Sequence, residues 1–557
     1  MELEQHDESC TVNTLMWTLG YNVLQIIIVL TSFLTIVYSF RTPTKPRISG
    51  PSFLLGLGPL LSHGRFVVMG IWRAADYYNS CYGDNVRTWI GGKETFILSS
   101  PQAVHKVLKS VWCAERFGSE RALKMLHMNN GLIFNNDGWS HLREHFMRAV
   151  TGSAVDNTVI AAEQATRNCL AETLRAHPGG ATLDVLKLMR CLTLRLSNLL
   201  FLHVPINETH LLGVINDYFE AWQVLLIKPS IFFAFRPLYR KYHHAITAPS
   251  PLPAPASCSP LPISSADSFH KFFTFWNMLE KMREAVAELV KKKREKLKAG
   301  SEERSDFVAG LIQAQELGEL TEENVLQCTL EMMIAAPDTM SVTLLFMLRF
   351  LAQKPGIQAE LVSELETKLG DKARKIETCL GKEQTASEET PSELTSADLQ
   401  QLSLLDRFIR ESIRHMPVVE VIMRKTKMPV ALDSCVLPPG SNVVLNLARM
   451  HRHPCFPQAH TFSTDNFKEP VPPGHYLPFG AGRRSCVGRH ISIIAMKVVL
   501  ATILPIFQIC PADGDKNHPL ETTHDLSCHP QQAQPGLIMS FQPRQQGILH
   551  GKEKPVG

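Results

Sequence analysis

Phe479-Gly480-Ala481-Gly482-Arg483-Arg484-Ser485-Cys486-Val487-Gly488 runs directly into RHISIIAMKVVLATIL, a segment with apolar residues at helical spacing. Two glycines before the cysteine and one after it allow positive φ and let the backbone come close to a flat group. Cys486 then falls at a helix N-terminus, where the dipole and free N–H groups lower a thiol's pKa and Arg484 adds positive charge. A thiolate held in this way is an iron ligand that pushes electron density toward oxygen chemistry. An inert buried cysteine beside a turn would account for Cys486 alone, but not for Phe, Gly, Arg, Cys and Gly at this spacing.

Upstream, Glu411 and Arg414 stand as E-x-x-R, one helical turn apart, so their charges meet on one face. Taken alone, a surface ion pair is the commoner meaning of that pattern. In Met332 to Val342 (MMIAAPDTMSV), Pro337 removes a backbone N–H and frees the carbonyl four residues back. A mid-helix kink and a groove for substrate or water are predicted there. Asp338 and Thr339 follow at once, a carboxyl and a hydroxyl suited to proton delivery. Trp139 and Arg143, spaced W-x-x-x-R, share a helix face and offer an aromatic donor and a bidentate cation to a carboxylate. A core tryptophan beside a surface arginine is the plainer alternative.

The rest of the chain bounds what these residues serve. With 557 residues and 45% apolar content, a large core can be buried, and a net charge of +4 demands no nucleic acid. Thirteen cysteines without a C-x-x-C pair or a His/Cys cluster of zinc spacing argue against a disulfide framework and a structural zinc. Most read as small buried apolar residues. No Asp, Glu, Lys, Arg or His occurs from Ser9 to Phe40, and Leu24 to Phe40 is strongly apolar. A membrane anchor over 16–40 is expected, after a short lumenal stretch 1–15, and the acidic start does not suit a cleaved signal peptide. Arg41, Lys45 and Arg47 follow the apolar run, so the positive-inside bias puts the body in the cytoplasm. The sequon at Asn207 would then face the wrong compartment and reads as chance.

A proline-rich linker, 41–52, leads into a single domain over 53–545, with a flexible C-terminus at 546–557. Helical periodicity in 283–298, 322–353 and 402–415, against few strand-like runs such as 435–447, predicts a mainly α fold with small β sheets. The stretches 247–266 (Pro/Ser/Ala-rich) and 371–396 (Glu/Thr/Ser-rich) read as disordered insertions.

The motif F-x-x-G-x-R-x-C-x-G resembles the haem-ligand signature of the cytochrome P-450 superfamily, with Phe479, Gly482, Arg484, Cys486 and Gly488 all matching. The resemblance implies the cytochrome P-450 fold and haem b bound through Cys486. It makes Glu411 and Arg414 a structural pair, whose usual third partner, an arginine, is replaced here by Asp465-Asn466-Phe467. Trp139, Arg143, Arg424, Arg484 and Arg116 become expected cofactor-binding residues at the haem propionates. AAPDTMSV (335–342), PVVEVIMRK (417–425), SHGRF (62–66), RFGS (116–119), YFEAWQVLLIKPSIFF (218–233), ARMHR (448–452) and HDLSCHP (524–530) are similar to the aromatase family within it, in a non-mammalian vertebrate form.

That narrower resemblance implies three successive oxygenations at the C19 methyl of androgens such as androstenedione and testosterone, with formate release and formation of the oestrogens estrone and estradiol. Asp338 would donate to the 3-keto group and join in enolisation. Donation requires a protonated acid, which burial among Ala335, Ala336 and Met332 would favour. Thr339 would assist oxygen activation. Arg116 and the Met423 N–H would hold the 17-oxygen, while Ile133, Phe134, Phe219, Trp222, Ala335, Val419, Leu526 and Ser527 wall a flat apolar cavity. Glu420, where the family commonly has Asp, and Cys528, where it has Leu, depart from the pattern.

No flavin or nicotinamide fingerprint is present, so NADPH and FAD/FMN act only through a partner, NADPH-cytochrome P-450 reductase. Arg483, Arg489 and the run Lys291 to Lys298 are candidate docking cations for it. The family's setting implies the endoplasmic reticulum membrane, crossed once. Two rival functions remain: another membrane-bound monooxygenase, which would not need Pro337 and Asp338, and a non-catalytic haem-thiolate protein.

Overall fold

The computed structural model describes residues 48–52, 57–117, 130–133, 138–177, 179–227, 264–300, 306–370, 393–433, 435–512, 519–524, 527–531 and 534–544, with isolated positions beyond these. Most of the expected anchor and of the linker, and the C-terminus, lie outside the described residues.

The core is built around one long element, Glu322–Gln353, made of the helix Glu322–Ala335, a π-helical turn Ala336–Met340 and the helix Ser341–Gln353. Thr321 starts it with a reciprocal cap: its hydroxyl accepts the Asn324 N–H, and the Asn324 side chain accepts the Thr321 N–H. Among the described residues it alone is long and apolar enough to cross a membrane, but most of it is buried as a core element. Val342, Leu344, Leu345, Met347, Leu348 and Leu351 are wholly enclosed, as expected for a helix apolar all round. The helix Val185–Phe201 packs along it. The helix Arg489–Ile503 lies against Ala154–Ala176, and the small residues Ala161, Ala162 and Ala165 share one buried core with Val498, Val499 and Ala501.

Small sheets flank this helical body. In the largest, Lys93–Leu98 pairs in parallel with Asn442–Asn446, and the outer strands Asn85–Ile90 and Val421–Lys425 are antiparallel. The central run Asn442–Asn446 is buried throughout, as its Val443-Val444-Leu445 sequence requires of a strand covered on both faces. The expected strand at 435–447 is in fact two, Val436–Leu437 and Asn442–Asn446, because Pro438-Pro439-Gly440 makes a turn with Gly440 at φ 76°.

Two of these sequence expectations change. The edges of the stretches read as disordered insertions are ordered: Ser264 opens the helix Ser264–Lys298. Leu394 is 2% exposed, with its N–H on the Glu163 carboxylate, and Thr395 caps the next helix in a capping box with Asp398. One buried leucine and a cap outweigh the polar composition around them. The run Lys291 to Lys298 is not an open cationic face, because Lys293 is fully buried against Asp306 and Lys296 donates to the His203 carbonyl at 2.8 Å. Asn207 is structural, since its side chain accepts the His210 N–H at 3.0 Å, at the start of the helix Glu208–Ile227.

Candidate functional site

The loop before Cys486 owes its shape to two left-handed glycines, Gly480 at φ 66° and Gly482 at φ 69°. A Cβ on Gly482 would lie 2.1 Å from the Leu108 carbonyl oxygen, so the helix Pro101–Lys109 allows nothing larger there. The Cys486 N–H donates to the Phe479 carbonyl at 2.9 Å and closes the loop. Gly488 is different: at φ −82° it caps the helix Arg489–Ile503, and a Cβ there would touch Ile491 at an ordinary 3.8 Å. The protein's own atoms do not require that glycine.

From its place at a helix N-terminus, the Cys486 thiol is expected to have a lowered pKa. The structure reverses the direction. Although the residue keeps an exposed side, the protein massed around it desolvates the thiolate and raises the pKa above its ordinary value. The Gly488 N–H and Arg143, Arg116 and Arg489, rather than Arg484, oppose that effect. Burial outweighs the Gly488 N–H and the cations. A coordinating metal deprotonates such a thiol outright.

Four arginines converge beside this loop. Arg143, on the helix Trp139–Ala149, donates to Ser485 Oγ at 3.2 Å. Arg116 donates to the Ile133 carbonyl at 2.5 Å, Arg484 to the carbonyls of Leu132 (2.7 Å) and Ala114 (3.2 Å), and Arg424 to that of Met423 (2.9 Å). Arg484 also stacks 3.7 Å above the Trp139 ring, so that face of the indole is covered by a cation. Burial first, and then the charge of Arg116, bring Arg424 and Arg484 down to about 9; Arg424 and Arg143 also act on Arg484. A buried cluster of donors that weaken one another fits a group carrying two carboxylates above a thiolate ligand, which is the chemistry of a haem with its propionates. Trp139, Arg143, Arg424, Arg484 and Arg116 are thus gathered at one place. Arg116 stands in this cluster, close to Cys486, rather than apart from it.

The groove expected from Pro337 is a π-helical turn, in which the Ser341 N–H reaches back five residues to the Ala336 carbonyl. The wider turn takes up the bond that proline cannot make. The Thr339 hydroxyl donates to the Ala335 carbonyl at 3.0 Å, while Ala335 itself is exposed at the head of the turn. Asp338 does not sit in the purely apolar surroundings expected of it. His529 Nε2 lies 3.1 Å from its Oδ1 and 2.6 Å from Ser527 Oγ. The short distance is not a well-aligned hydrogen bond, since Asp338 Oδ1 has no such partner among the described residues. Arg190, on the helix Val185–Phe201, feels the Asp338 charge as the main influence opposing the effect of its own burial. Arg190 does not stand out in the sequence, where an arginine in the mostly apolar LKLMRCLTL is the available signal; His529 lies within the HDLSCHP run, whose pattern by itself assigns it no role.

The Cys528 N–H donates to the Val418 carbonyl at 2.7 Å, and the Phe219 ring stands 6.5 Å from that of His529. These contacts bring Phe219, Ser527, the 418–423 segment and the π turn together. Ile133 is placed instead by Glu331, whose carboxylate accepts its N–H at 3.3 Å and that of Leu132 at 2.7 Å. Glu331 likewise carries no signal in the sequence; burial raises it to about 7. Phe134 and Leu526 lie outside the described residues, as does the Trp222 side chain.

Glu411 and Arg414 form a wholly buried bidentate pair at 2.7 and 2.8 Å, not a surface pair. Arg414 also donates to the carbonyls of His451, Ala459 and Thr461. The third partner is Asn466, whose amide donates to Glu411 at 3.0 Å, next to the Ser463 N–H at 2.9 Å.

The Cytochrome P450 family model matches residues 48–252 and 255–537. Aromatase of Taeniopygia guttata is 37% identical over 523 residues, 93% of this chain and 92% of the relative, a bird match in keeping with a non-mammalian form. Aromatase of Mus musculus is 38% identical over 89% of each chain, and that of Homo sapiens is 35% identical over 93% of each. The chain belongs to the cytochrome P450 family, in its aromatase branch.

Proposed function

We propose that the protein converts androgens such as androstenedione and testosterone to oestrogens by three successive oxygenations at C19, ending in formate release and A-ring aromatisation. The observation that carries this reading is the placement of Asp338 in the π turn beside Thr339, with His529 Nε2 3.1 Å from its carboxylate. A haem held by Cys486 and faced by Arg116, Arg143, Arg424 and Arg484 supplies the activation of dioxygen. Gly488, beside the thiolate, leaves room for that flat group.

Asp338 holds the proton that hydrogen-bonds the steroid 3-keto oxygen, and enolisation draws on the same carboxyl. Ser527 Oγ and His529 Nε2 line the approach to this carboxyl, and its charge acts on Arg190 of the helix Val185–Phe201. Thr339, whose hydroxyl rests on the Ala335 carbonyl at 3.0 Å, would assist oxygen activation. Arg116 and the Met423 N–H serve the 17-oxygen, while Ile133, Phe134, Phe219, Trp222, Ala335, Val419, Leu526 and Ser527 exclude water around the rings. Electrons from NADPH arrive through the flavins of the membrane-bound reductase, which docks on the cysteine face where Arg483 and Arg489 are exposed. Residues 16–40 anchor the chain once in the endoplasmic reticulum membrane with the catalytic body in the cytoplasm.

Purified protein with reductase, NADPH and androstenedione tests the proposal. Estrone with formate supports it. A hydroxylated androgen alone would make the chain a different monooxygenase, and haem binding without turnover would make it non-catalytic.

A further inference from the structure

His141 and His145 stand four residues apart on the helix Trp139–Ala149, so both rings lie on one face. That face is turned by about 200° from the one carrying Trp139 and Arg143, since each residue advances the helix by ~100°. Glu319 meets it from a neighbouring element. Together the three residues present one ligand atom each, all within 4.8 Å of one another.

Two further observations set this group apart from a chance surface cluster. The first is His145 itself: it is 7% exposed, and its Nε2 is buried without a hydrogen-bond partner. A buried ring nitrogen left unpaired is costly unless something coordinates it. Burial, with His141 and Arg148 adding positive charge against Glu319 and Glu144, holds this imidazole below its ordinary value. It is therefore neutral and has a lone pair at physiological pH.

The second observation is rigidity. Glu319 follows the helix Phe307–Glu316 in a tight terminal turn, with Gly318 at φ 78° and the Glu319 N–H on the Ala314 carbonyl at 2.9 Å. That helix is locked to the one bearing the histidines by Phe146 and Phe307, whose rings are 4.8 Å apart. The two backbones that offer the ligands are thus held in place, while His141 and Glu319 are exposed and free to adjust. Ligands ~2.0–2.1 Å from a zinc ion lie about 3.3 Å apart, within reach of those two side chains by rotation.

We propose that His141, His145 and Glu319 form a divalent transition-metal site, best suited to Zn2+, with solvent as the fourth ligand. Two imidazoles and a carboxylate are a borderline-soft donor set of the kind that zinc takes, with one open position on the exposed side. The site staples the helix bearing Arg143 to the turn after Phe307–Glu316, away from Cys486 and its arginine cluster.

The test uses haem-loaded, full-length protein freed of any purification tag and stripped with a chelator. Zn2+ is titrated against a chelating indicator, and zinc is quantified per haem. A second group, His453, Cys455 and His475, is a reason to read the difference between parent and variants rather than total zinc. The parent should hold one more tight equivalent than His141→Ala, His145→Ala or Glu319→Gln, and each variant should bind at that site at least tenfold more weakly. Zinc should raise the thermal midpoint of the parent but not of the variants. His141→Ala and Glu319→Gln change exposed side chains, so an unaltered spectrum of the reduced carbonyl complex will show that they fold. If both of these bind zinc with the parent's stoichiometry and affinity, no such site exists.

Discussion

Cys486 is a thiol that the protein alone would keep protonated, since burial outweighs the Gly488 N–H and the nearby arginines. A metal coordinated by this sulfur would complete the ionisation. Cys486→Ala is expected to lose the thiolate-ligated spectrum of the reduced carbonyl complex together with all turnover. A variant that kept that spectrum would show that the ligand lies elsewhere. Asp338 is separable from this chemistry because its carboxylate lies 3.1 Å from His529 and its charge acts on Arg190, whereas Cys486 is influenced by the Gly488 N–H and by Arg143, Arg116 and Arg489. Asp338→Ala should bind haem normally yet form estrone at least about 100-fold more slowly, the usual scale for removing a general acid. Estrone formation at the parental rate would end its assigned role. The cysteine and the aspartate could be read from sequence because each sits in a dense local pattern. Arg190 and His529 could not, since their importance exists only once distant helix and strand segments meet at the π turn.

At the scale of elements, the pair Glu411–Arg414 is a hub rather than a bond. Its carboxylate and guanidinium collect the 451–466 segment through the His451, Ala459 and Thr461 carbonyls, the Ser463 N–H and the Asn466 amide. Asn466 does more than replace an arginine. Its oxygen also accepts the Gln458 N–H at 2.7 Å and its amide donates to the Gln458 carbonyl at 3.1 Å, so it folds the segment that it attaches. Asn466→Ala should cost about 2–3 kcal/mol, because a buried carboxylate loses a donor and two backbone groups lose their partner. Urea titration monitored by the haem band measures this, and an unchanged midpoint would mean that water replaces the amide. The E-x-x-R pair and the location of its third partner were legible in the chain, but the partner's identity was not. An amide and a guanidinium can serve the same carboxylate, and spacing does not tell them apart. The π turn shows the same limit: Pro337 predicted a distortion, while its form depended on neighbours able to support a wider turn.

Across the whole molecule, Glu331 joins parts that are far apart in sequence. From the central helix its carboxylate holds the Leu132 and Ile133 N–H groups, and those two residues offer their carbonyls to Arg484 and Arg116. One buried acid thus connects the core to the cation cluster beside Cys486. Burial raises it from the ordinary 4.5 to about 7, against the opposing effects of Gln327, the two N–H groups and Arg116. Because the folded pKa lies above the unfolded one, its contribution to stability is fully present below pH 4.5 and is lost as pH rises through about 7. Over that window the protonated acid is favoured in the folded state and the free carboxylate in the unfolded chain. Glu331→Gln keeps an oxygen for the two N–H groups and removes the titration. Relative to the parent, the variant should gain stability between those limits by up to about 3 kcal/mol and show no further gain at higher pH. Denaturant titrations of both proteins at closely spaced pH values measure the difference. A stability difference independent of pH would mean that Glu331 is ionised throughout, as a permanent partner of Arg116, and that the link between core and cation cluster is an ion pair rather than a titrating acid.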